Sequence, residues 1–264
     1  MTSVTSRIRT LVVCATLVIS LIGVALLAPL PFAVLVPGPT ADVLSAQDGK
    51  PVIAIDGTRT RRTTGELRLV TVVSVTQPDT SVKLPEVVGA WFDGNRAVVP
   101  RDAVYPAGKS IEEIERHNVQ EMNDSQNAAE TAALKHLGLS PKKVRVRLTL
   151  PDVGGPSAGL MFALGIIDKI DGDGQGGDLA GGRTIGGTGT IAADGTVGAV
   201  GGIELKEQAV RRDGVRIFLM PRSQCSVARA ARPEGLRLVP VDTLDDALSA
   251  LKALRGAGGS VPSC

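Results

Sequence analysis

The stretch DVGGPSAGLMFALG, residues 152–165, decides how this sequence is interpreted. Its centre, GPSAG at residues 155–159, fits the pattern Gly-x-Ser-x-Gly, and the apolar run after the serine predicts a buried helix. Ser157 is therefore a candidate nucleophile. A free hydroxyl is a poor nucleophile, so a neighbouring group must take its proton. The rest of the sequence has to supply that base.

The histidines do not fit the role of this base. An α/β-hydrolase presents its catalytic groups in the order Ser, acid, His, whereas His117 and His136 both precede Ser157. Both lie in a charged segment that predicts helix, so we expect them to be structural residues on a helix surface. Their separation of 19 residues also matches no zinc-site spacing.

The remaining simple base is a lysine amine, whose pKa must fall by about three units, at a cost of roughly 4 kcal/mol, before it can accept the serine proton. Lys169 would lie about 18 Å down the helix that starts at Ser157. Lys252 belongs to a charged C-terminal helix. Lys206 instead follows the glycine-rich apolar turn VGAVGGIEL, residues 197–205, near the start of a helix whose dipole disfavours a protonated amine.

Two acidic neighbours bear on the choice of Lys206. Glu204 and Glu207 would oppose a lowered lysine pKa if they faced the amine. In a helix, however, the side chains two residues before and one residue after a given position point away from the side chain at that position. Lys206 is therefore the favoured base on chemical grounds, while the residues alone leave the other lysines open.

Two motifs together resemble the proteolytic domain of the Lon protease family. These are GGPSAGLMFALG, residues 154–165, and GTGTIAADGTVGAVGGIELKEQAVRRDGVRIFLMP, residues 187–221. The resemblance implies that Ser157 is the nucleophile and Lys206 its general base, and that Thr188 hydrogen-bonds the lysine amine. It covers most of residues 60–245 and implies an α/β (α+β) proteolytic domain.

A finer resemblance is to membrane-anchored bacterial Lon-like proteins, carried by AVVPRDAVYPAGKS at 97–110 and EMNDSQNAAETAALKHLG at 121–138. Many relatives carry a PDZ domain between that helix and the strand leading to the serine. Here KHLGLSPKKVRVRLTLP, residues 135–151, joins the helix to that strand with only a few residues between them, so no PDZ domain is expected. We expect no ATPase either, because Ala103 stands where a phosphate loop at Gly108-Lys109-Ser110 needs its first glycine.

The N-terminal residues predict a membrane anchor. LVVCATLVISLIGVALLA, residues 11–28, would span roughly 27 Å as a helix, and Pro29 and Pro31 predict its end. A cleaved signal peptide is the alternative, but its apolar region is usually about 7–15 residues with a small-x-small site. Arg7 and Arg9 before the span predict a cytoplasmic N-terminus and an extracytoplasmic remainder.

The sequence thus divides into a cytoplasmic N-terminus with an anchor, residues 1–40, and a Lon-like proteolytic domain, residues 41–264. Residues 36–44 are interpreted as a Pro/Gly-rich exit from the membrane. Further predicted elements are strands at 65–75, 143–151 and 215–221; helices from 110 to 138 (capped by Ser110 and Glu113, with a break near 123–125), 203–214 and 243–256; and a hairpin at Asp194-Gly195.

The amino-acid composition and the loop motifs limit which classes of ligand the protein is expected to bind. A net charge of +2 and 2% aromatic residues disfavour nucleic-acid binding. The loop DGDGQGGD, residues 171–178, has Gly182 where an EF-hand needs its acidic twelfth residue, so it is interpreted as a solvated turn. No cofactor or metal is expected. Cys225 and Cys264 form either a disulfide of an exported protein or two free thiols, on a tail that is expected to fray.

The predicted activity is an ATP-independent, membrane-anchored serine endopeptidase with a Ser-Lys dyad, acting on protein or peptide substrates. Gly154 and Gly155 would let a substrate backbone approach, and backbone N–H groups near Ser157 would stabilise the oxyanion. A homo-oligomer is one assembly that the sequence allows. Two alternatives stay open: a catalytically silent anchored scaffold that keeps the fold, and an esterase with the same chemistry.

Overall fold

The computed structural model describes residues 2–47, 49–78, 80–151 and 153–264. These residues form two compact units, one of residues 1–36 and 74–108, the other of residues 37–73 and 109–264. The helices are α1 (Thr2–Leu27), α2 (Leu84–Trp91), α3 (Ile111–His136), α4 (Gly159–Ile170), α5 (Ile203–Arg212), α6 (Cys225–Ala231) and α7 (Leu244–Leu254). The strands are β1 (Phe32–Asp42), β2 (Ala46–Gln47), β3 (Lys50–Pro51), β4 (Ile53–Asp56), β5 (Glu66–Ser74), β6 (Ala97–Pro100), β7 (Arg145–Leu148), β8 (Thr184–Gly187), β9 (Thr190–Ile191), β10 (Val197–Gly198), β11 (Ile217–Pro221) and β12 (Arg237–Val241).

The larger unit is built on a mostly parallel sheet. Its strands run in the order β12-β11-β8-β5-β1, and the pairs β12–β11, β11–β8 and β8–β5 are parallel. Two antiparallel pairs, β9–β10 and β4–β7, lie beside this sheet in the same unit. Parallel strands joined through helices are the mark of an α/β fold, so the predicted mixed α/β class is confirmed.

Helix α4 is the centre of the larger core. All residues from Gly159 to Asp168 are buried, which is why its sequence is apolar on every side. It packs against α3 and α7. A second core cluster gathers residues of β5, α5, β11, α6 and β12 and of the segments that lead into β11 and β12. Its members are Val70, Ile203, Ala209, Val210, Val215, Phe218, Met220, Ala228, Leu236 and Leu238. The two clusters hold α4, which directly follows the candidate nucleophile, and α5, which carries the candidate base.

The smaller unit contains the predicted anchor. Residues Ser6–Leu27 of α1 are long and apolar enough to cross a membrane, and large side chains along the helix are exposed. Beyond α1, the first half of β1 pairs antiparallel with β6. Helix α2 closes a small core made of Val34, Val82, Val87 and Ala90. An exposed apolar helix is what a bilayer-spanning segment requires.

Helix α3 begins and ends as predicted but does not break. Ser110 and Glu113 form the capping box, and Gly138 has a φ of 65°. The expected break near Asn123-Asp124-Ser125 is wrong. Asn, Asp and Ser disrupt helices by hydrogen-bonding to the local backbone. Here the Asp124 carboxylate accepts from Gln120 Nε2, and Ser125 Oγ donates to the carbonyl of Pro156.

The segment at residues 36–44, interpreted as a Pro/Gly-rich exit from the membrane, is mostly strand despite its prolines and glycine. Residues 36–42 belong to β1, which ends at Asp42, and residues 43–44 form a turn after it. Gly38 makes this possible because a Cβ there would lie 2.4 Å from Thr71 Oγ1 on the neighbouring strand β5. Thr71 Oγ1 donates to the carbonyl of Pro39. The strand therefore depends on a glycine at the point of closest approach.

The C-terminal segment contains elements that the sequence did not predict. Helix α6 and strand β12 follow the predicted strand β11. The tail is held in place: Cys264 forms a disulfide with Cys225, with Cα atoms 5.2 Å apart, and packs against the second core cluster. Of the two alternatives for these cysteines, the structure contains the disulfide. The expectation of a frayed tail is wrong because of this covalent link.

Candidate active site

The candidate nucleophile lies on a sharp turn that enters α4. Gly155 has a φ of 81°, a left-handed conformation that favours glycine. A 3-10 turn over Pro156–Ala158 follows, and α4 begins at Gly159. Ser157, in the middle of this turn, is half-buried. This glycine turn therefore places the serine directly before a buried helix.

Helix α3 fixes the position of this turn from one side. The N–H of Gly155 donates to the carbonyl of Asn118 at 3.2 Å. Ser125 Oγ donates to the carbonyl of Pro156 at 2.9 Å. The turn has no side-chain cap of its own, so α3 supplies the partners for its backbone.

The end of β8 fixes the turn from the other side. The carbonyl of Ser157 accepts two hydrogen bonds, from Thr188 Oγ1 at 3.1 Å and from the N–H of Gly189 at 3.0 Å. The N–H of Leu160 donates to the carbonyl of Gly189 at 3.1 Å. Thr188 is itself positioned by its N–H, which donates to the carbonyl of Leu219 on β11. The serine backbone is thus tied to the central sheet.

The candidate base reaches the same place from α5. Gly202 precedes this helix with a φ of 63°, and a Cβ there would lie 3.0 Å from Val72 Cγ2 on β5. Lys206 follows in the first turn of α5 and is 3% exposed. Its Nζ donates to Thr188 Oγ1 at 3.1 Å. Thr188 therefore contacts both the lysine amine and the serine backbone.

Burial lowers the pKa of Lys206 from its ordinary value of 10.5 to about 8. The cause is desolvation, which disfavours the charged ammonium, and the position in the first turn of α5 acts in the same direction. The carboxylates of Glu204 and Glu207 do not offset this shift. The predicted helical geometry, in which both carboxylates point away from the amine, accounts for their lack of effect.

The hydrogen bonds at Thr188 also decide which way its hydroxyl points. Its proton is donated to the carbonyl of Ser157, so its oxygen can only accept from the lysine amine. The amine uses an N–H in this contact and keeps its lone pair free when it is neutral. Within the described residues, no hydrogen bond joins Ser157 Oγ to Lys206 Nζ.

The two glycines before the serine have different surroundings. Gly154 is exposed, and a Cβ there would lie 3.2 Å from Asn118 Cβ of α3. Among the residues that the structure describes, a Cβ on Gly155 would meet nothing within 4 Å. Gly154 therefore allows α3 to approach the turn, whereas open space beside Gly155 is available to another molecule.

Two depressions adjoin the segment that leads to the serine. One, of about 650 Å³, is lined by residues of α3, β7 and the chain after it, among them Met122 and Leu150. The other, of about 380 Å³, is lined by residues of β1 and β5, among them Ala41 and Leu69. Both share Gln47, Pro151 and Val153 as lining residues, and Val153 lies four residues before Ser157.

The other candidate bases lie elsewhere. His117 is exposed on α3 beside Glu121, and His136 Nδ1 lies 2.9 Å from Asp245 Oδ1. Lys169 Nζ donates to the carbonyl of Leu44 at 3.0 Å. Each of these side chains thus has a partner other than Ser157.

The loop at residues 171–178 uses its carboxylates within the protein. Asp173 accepts hydrogen bonds from the N–H groups of Gln175 and Gly177 and forms an ion pair with Arg255. Asp178 pairs with Arg61. Among the described residues, no group of three His, Cys, Asp or Glu side chains is placed to hold a metal ion.

Two residues near the site were not assigned a role from the sequence. Ser125 supports the serine turn, and nothing in a polar helix marks it for that contact. Glu207 is fully buried on α5, and neither of its carboxylate oxygens has a hydrogen-bond partner within the described residues. Its position four residues after Ile203 and three before Val210 places it on the buried face.

A comparison of this chain with protein-family models finds no match.

Proposed function

We propose that this chain is a membrane-anchored serine endopeptidase that works without ATP, with Ser157 as nucleophile and Lys206 as general base. The observation that carries the proposal is the buried amine of Lys206. Its pKa is lowered to about 8 and it is linked to Ser157 through Thr188. The resemblance of the serine and lysine motifs to the Lon proteolytic domain supports the same assignment.

In the proposed reaction, neutral Lys206 takes the proton of Ser157 Oγ as that oxygen attacks the scissile carbonyl. The resulting ammonium donates this proton to the leaving amine, and water then hydrolyses the acyl-enzyme. Thr188 keeps the amine oriented. We assign the N–H of Ser157 as an oxyanion donor, because the N–H groups of Gly155 and Leu160 are already donated within the protein.

The substrate would be an extended polypeptide. The two depressions meet at Pro151 and Val153, on the chain that leads directly to the nucleophile. Their lining is mostly apolar and neutral polar, as at Gln47 and Thr149, with the charged Lys50 at the larger depression. A lining of this kind suits an extended peptide. The open space beside Gly155 would admit the scissile bond.

The proteolytic unit would lie outside the cytoplasm, held by α1. Arg7 and Arg9 flank the apolar span at its N-terminal side, which favours a cytoplasmic N-terminus. The disulfide between Cys225 and Cys264 supports the same orientation independently, since disulfides persist in oxidising compartments and are rare in the cytosol.

One observation favours a second candidate, a catalytically silent anchored scaffold. The amine of Lys206 is hydrogen-bonded to Thr188 and not to Ser157 within the described residues. Catalytic hydrogen bonds often tighten only when substrate binds, so the peptidase remains the better supported function. Substrate cleavage decides between the two.

The test is peptide and casein cleavage by the full-length chain in detergent micelles. We expect Ser157→Ala and Lys206→Ala each to abolish cleavage. The circular dichroism spectrum of both variants should match that of the folded parent chain. Lys169→Ala is the matched control, because Lys169 is also partly buried with a pKa lowered by burial, and it should keep full activity. Unchanged cleavage in Lys206→Ala would contradict the dyad, and no cleavage of any substrate by the wild-type chain would support the scaffold.

A further inference from the structure

The outward side of α2 carries an exposed apolar patch that the proposed peptidase chemistry does not use. Val88, Trp91 and Phe92, here called the outer patch, are 40%, 74% and 88% exposed. Their spacing of three and four residues places them on one face of the helix. Single exposed apolar residues are common, but a contiguous apolar face with two large aromatic rings indicates a contact surface.

The outer patch is held rigidly. The opposite face of α2 buries Val87 and Ala90 against Val34 and Val82, so the helix is fixed by its inner side and cannot turn the aromatic rings inward. Aromatic residues are scarce in this chain, which has one Trp and four Phe. The only tryptophan is therefore placed where it contributes nothing to the core.

The smaller unit places this helix at the exit of α1. Leu30 lies three residues after Leu27, the end of α1, and its N–H donates to the carbonyl of Val82 at 2.9 Å. Val82 directly precedes Lys83, the N-cap of α2. Helices α1 and α2 are also in contact. The outer patch thus belongs to the same rigid segment as the end of the apolar span.

We propose that the outer patch is an interfacial anchor that inserts into the headgroup region of the lipid bilayer where α1 leaves it. The inference rests on the proposed membrane anchoring by α1. Tryptophan suits this position because its ring is apolar while its N–H needs a polar partner, and tryptophan is enriched at membrane–water interfaces. The charged side chains beside the patch, Lys83 and the Arg96–Asp93 pair, would remain in the headgroup layer.

The single tryptophan makes the test direct, because all tryptophan emission of the chain comes from Trp91. The full-length chain is reconstituted into phosphatidylcholine vesicles, with and without bromine on the acyl chains near the headgroup. We expect brominated lipid to remove the larger part of the Trp91 emission and aqueous iodide to have little effect. Replacing Val88 and Phe92 by serine should weaken quenching by brominated lipid.

A second tryptophan position controls for unspecific quenching. In the double variant Trp91→Phe, Val227→Trp, the tryptophan lies on α6 at a position whose valine is 45% exposed. It gives the baseline lipid quenching of an exposed tryptophan outside the outer patch, which we expect to be weaker than that of Trp91. Equal lipid quenching at both positions would overturn the proposal. So would a Trp91 that is protected from iodide but insensitive to brominated lipid, since protein, such as a second copy of the chain, would then cover the patch.

Membrane anchoring by α1, on which the inference rests, and peptide cleavage are measured in the same sample. Flotation with the vesicles reports whether α1 anchors the chain, and peptide cleavage reports the Ser157 chemistry. A chain that floats with unquenched Trp91 overturns the interfacial anchor alone. A chain that does not float overturns both the anchor and the inference, and loss of cleavage leaves the quenching result unaffected.

Discussion

Lys206 and Glu207 are neighbours on α5, and burial moves the pKa of both side chains to about 8, in opposite directions. Desolvation always favours the uncharged form, so it lowers the pKa of an amine and raises the pKa of a carboxylic acid. For Glu207, the charge of Glu204 adds to the rise and Arg232 opposes it. One shift bears on the proposed chemistry and the other on stability.

The lowered pKa of Lys206 predicts how cleavage depends on pH. Only the neutral amine accepts the serine proton, so kcat/KM should rise about tenfold per pH unit well below pH 8 and level off above it. Measuring peptide cleavage from mildly acidic to alkaline pH checks this. A profile that is flat across the neutral range would exclude an amine with this pKa as the base.

The raised pKa of Glu207 predicts that this side chain destabilises the fold as pH rises. The folded state holds the proton up to about pH 8, whereas the unfolded chain loses it near 4.5. Below pH 4.5 the carboxyl is protonated in both the folded and the unfolded state, so its titration does not change the stability. By pH 7 it lowers the free energy of unfolding by roughly 3 kcal/mol, because only the unfolded chain has released the proton.

We expect Glu207→Leu to remove this pH dependence and to raise the urea midpoint at pH 7 more than at pH 5. Glu115→Leu, an exposed glutamate on α3, is the matched control and should leave both midpoints nearly unchanged. A Glu207→Leu variant that is no more stable than the parent at pH 7 would show that the carboxylate has a partner in solution.

The grouping of Ser157, Thr188 and Lys206 was expected from the resemblance of two glycine-rich motifs to one family, and the structure places the Ser157 carbonyl and Lys206 Nζ against Thr188. Their catalytic roles stay a proposal. The buried position of Glu207 follows from helical spacing, but its charge argued against burial. Ser125 could not be predicted, since its partner is a backbone carbonyl 31 residues away. Contacts to distant backbone leave no pattern in the local sequence.

At the scale of elements, the entry of α4 depends on a residue without a side chain. A Cβ on Gly159 would lie 2.8 Å from Ser125 Oγ and 2.9 Å from Ile191 Cγ2. Helix α3, helix α4 and strand β9 therefore meet at this one position. Contacts this short force the neighbouring elements to move.

We expect Gly159→Ala to lower the free energy of unfolding by about 1–3 kcal/mol and to reduce cleavage, because the turn that carries Ser157 would shift. Gly201→Ala is the matched control, because a Cβ there meets none of the described atoms within 4 Å. Chemical denaturation and kcat of both variants check this. Equal stability of the two variants would mean that the three elements adjust freely.

The helices were easier to predict than the strands. The capping boxes of α3 and α7 use side chains within three residues of each other, at Ser110–Glu113 and Thr243–Asp246. Strand β1 contains two prolines, which normally argue against a strand. It forms because Gly38 fits against Thr71 of β5, and that partner is distant in sequence.

At the scale of the whole molecule, the disulfide closes a loop across 39 positions that contains β12 and α7. In the chain-entropy model, a loop of this size stabilises the fold by roughly 3–4 kcal/mol. We expect Cys225→Ser to lower the free energy of unfolding by about this amount. Cys14→Ser, at an exposed free cysteine on α1, is the control.

Urea denaturation of both variants, with and without reductant, checks this prediction. Reductant should destabilise the parent and leave Cys225→Ser unchanged. Mass spectrometry of the non-reduced parent should find one thiol, that of Cys14. Three thiols in protein purified without reductant would contradict the disulfide.

The grouping of residues 74–108 with the N-terminal segment could not be predicted from the sequence, which suggested a linear division at residue 40. The contact that joins them in the smaller unit pairs β1 with β6, more than 60 residues further along the chain. Such pairing depends on the folded backbone, and the division at residue 40 stays a prediction about domain identity.

The loop closed by Cys225 and Cys264 also changes what a proteolytic nick would do. A single backbone cut between these residues would leave both pieces covalently joined, with β12 still paired to β11. A clipped molecule would migrate as the intact chain on a gel without reductant and as two pieces with it. In a compartment that contains peptidases, the protein would thus survive a cut near its C-terminus without losing β12 and α7.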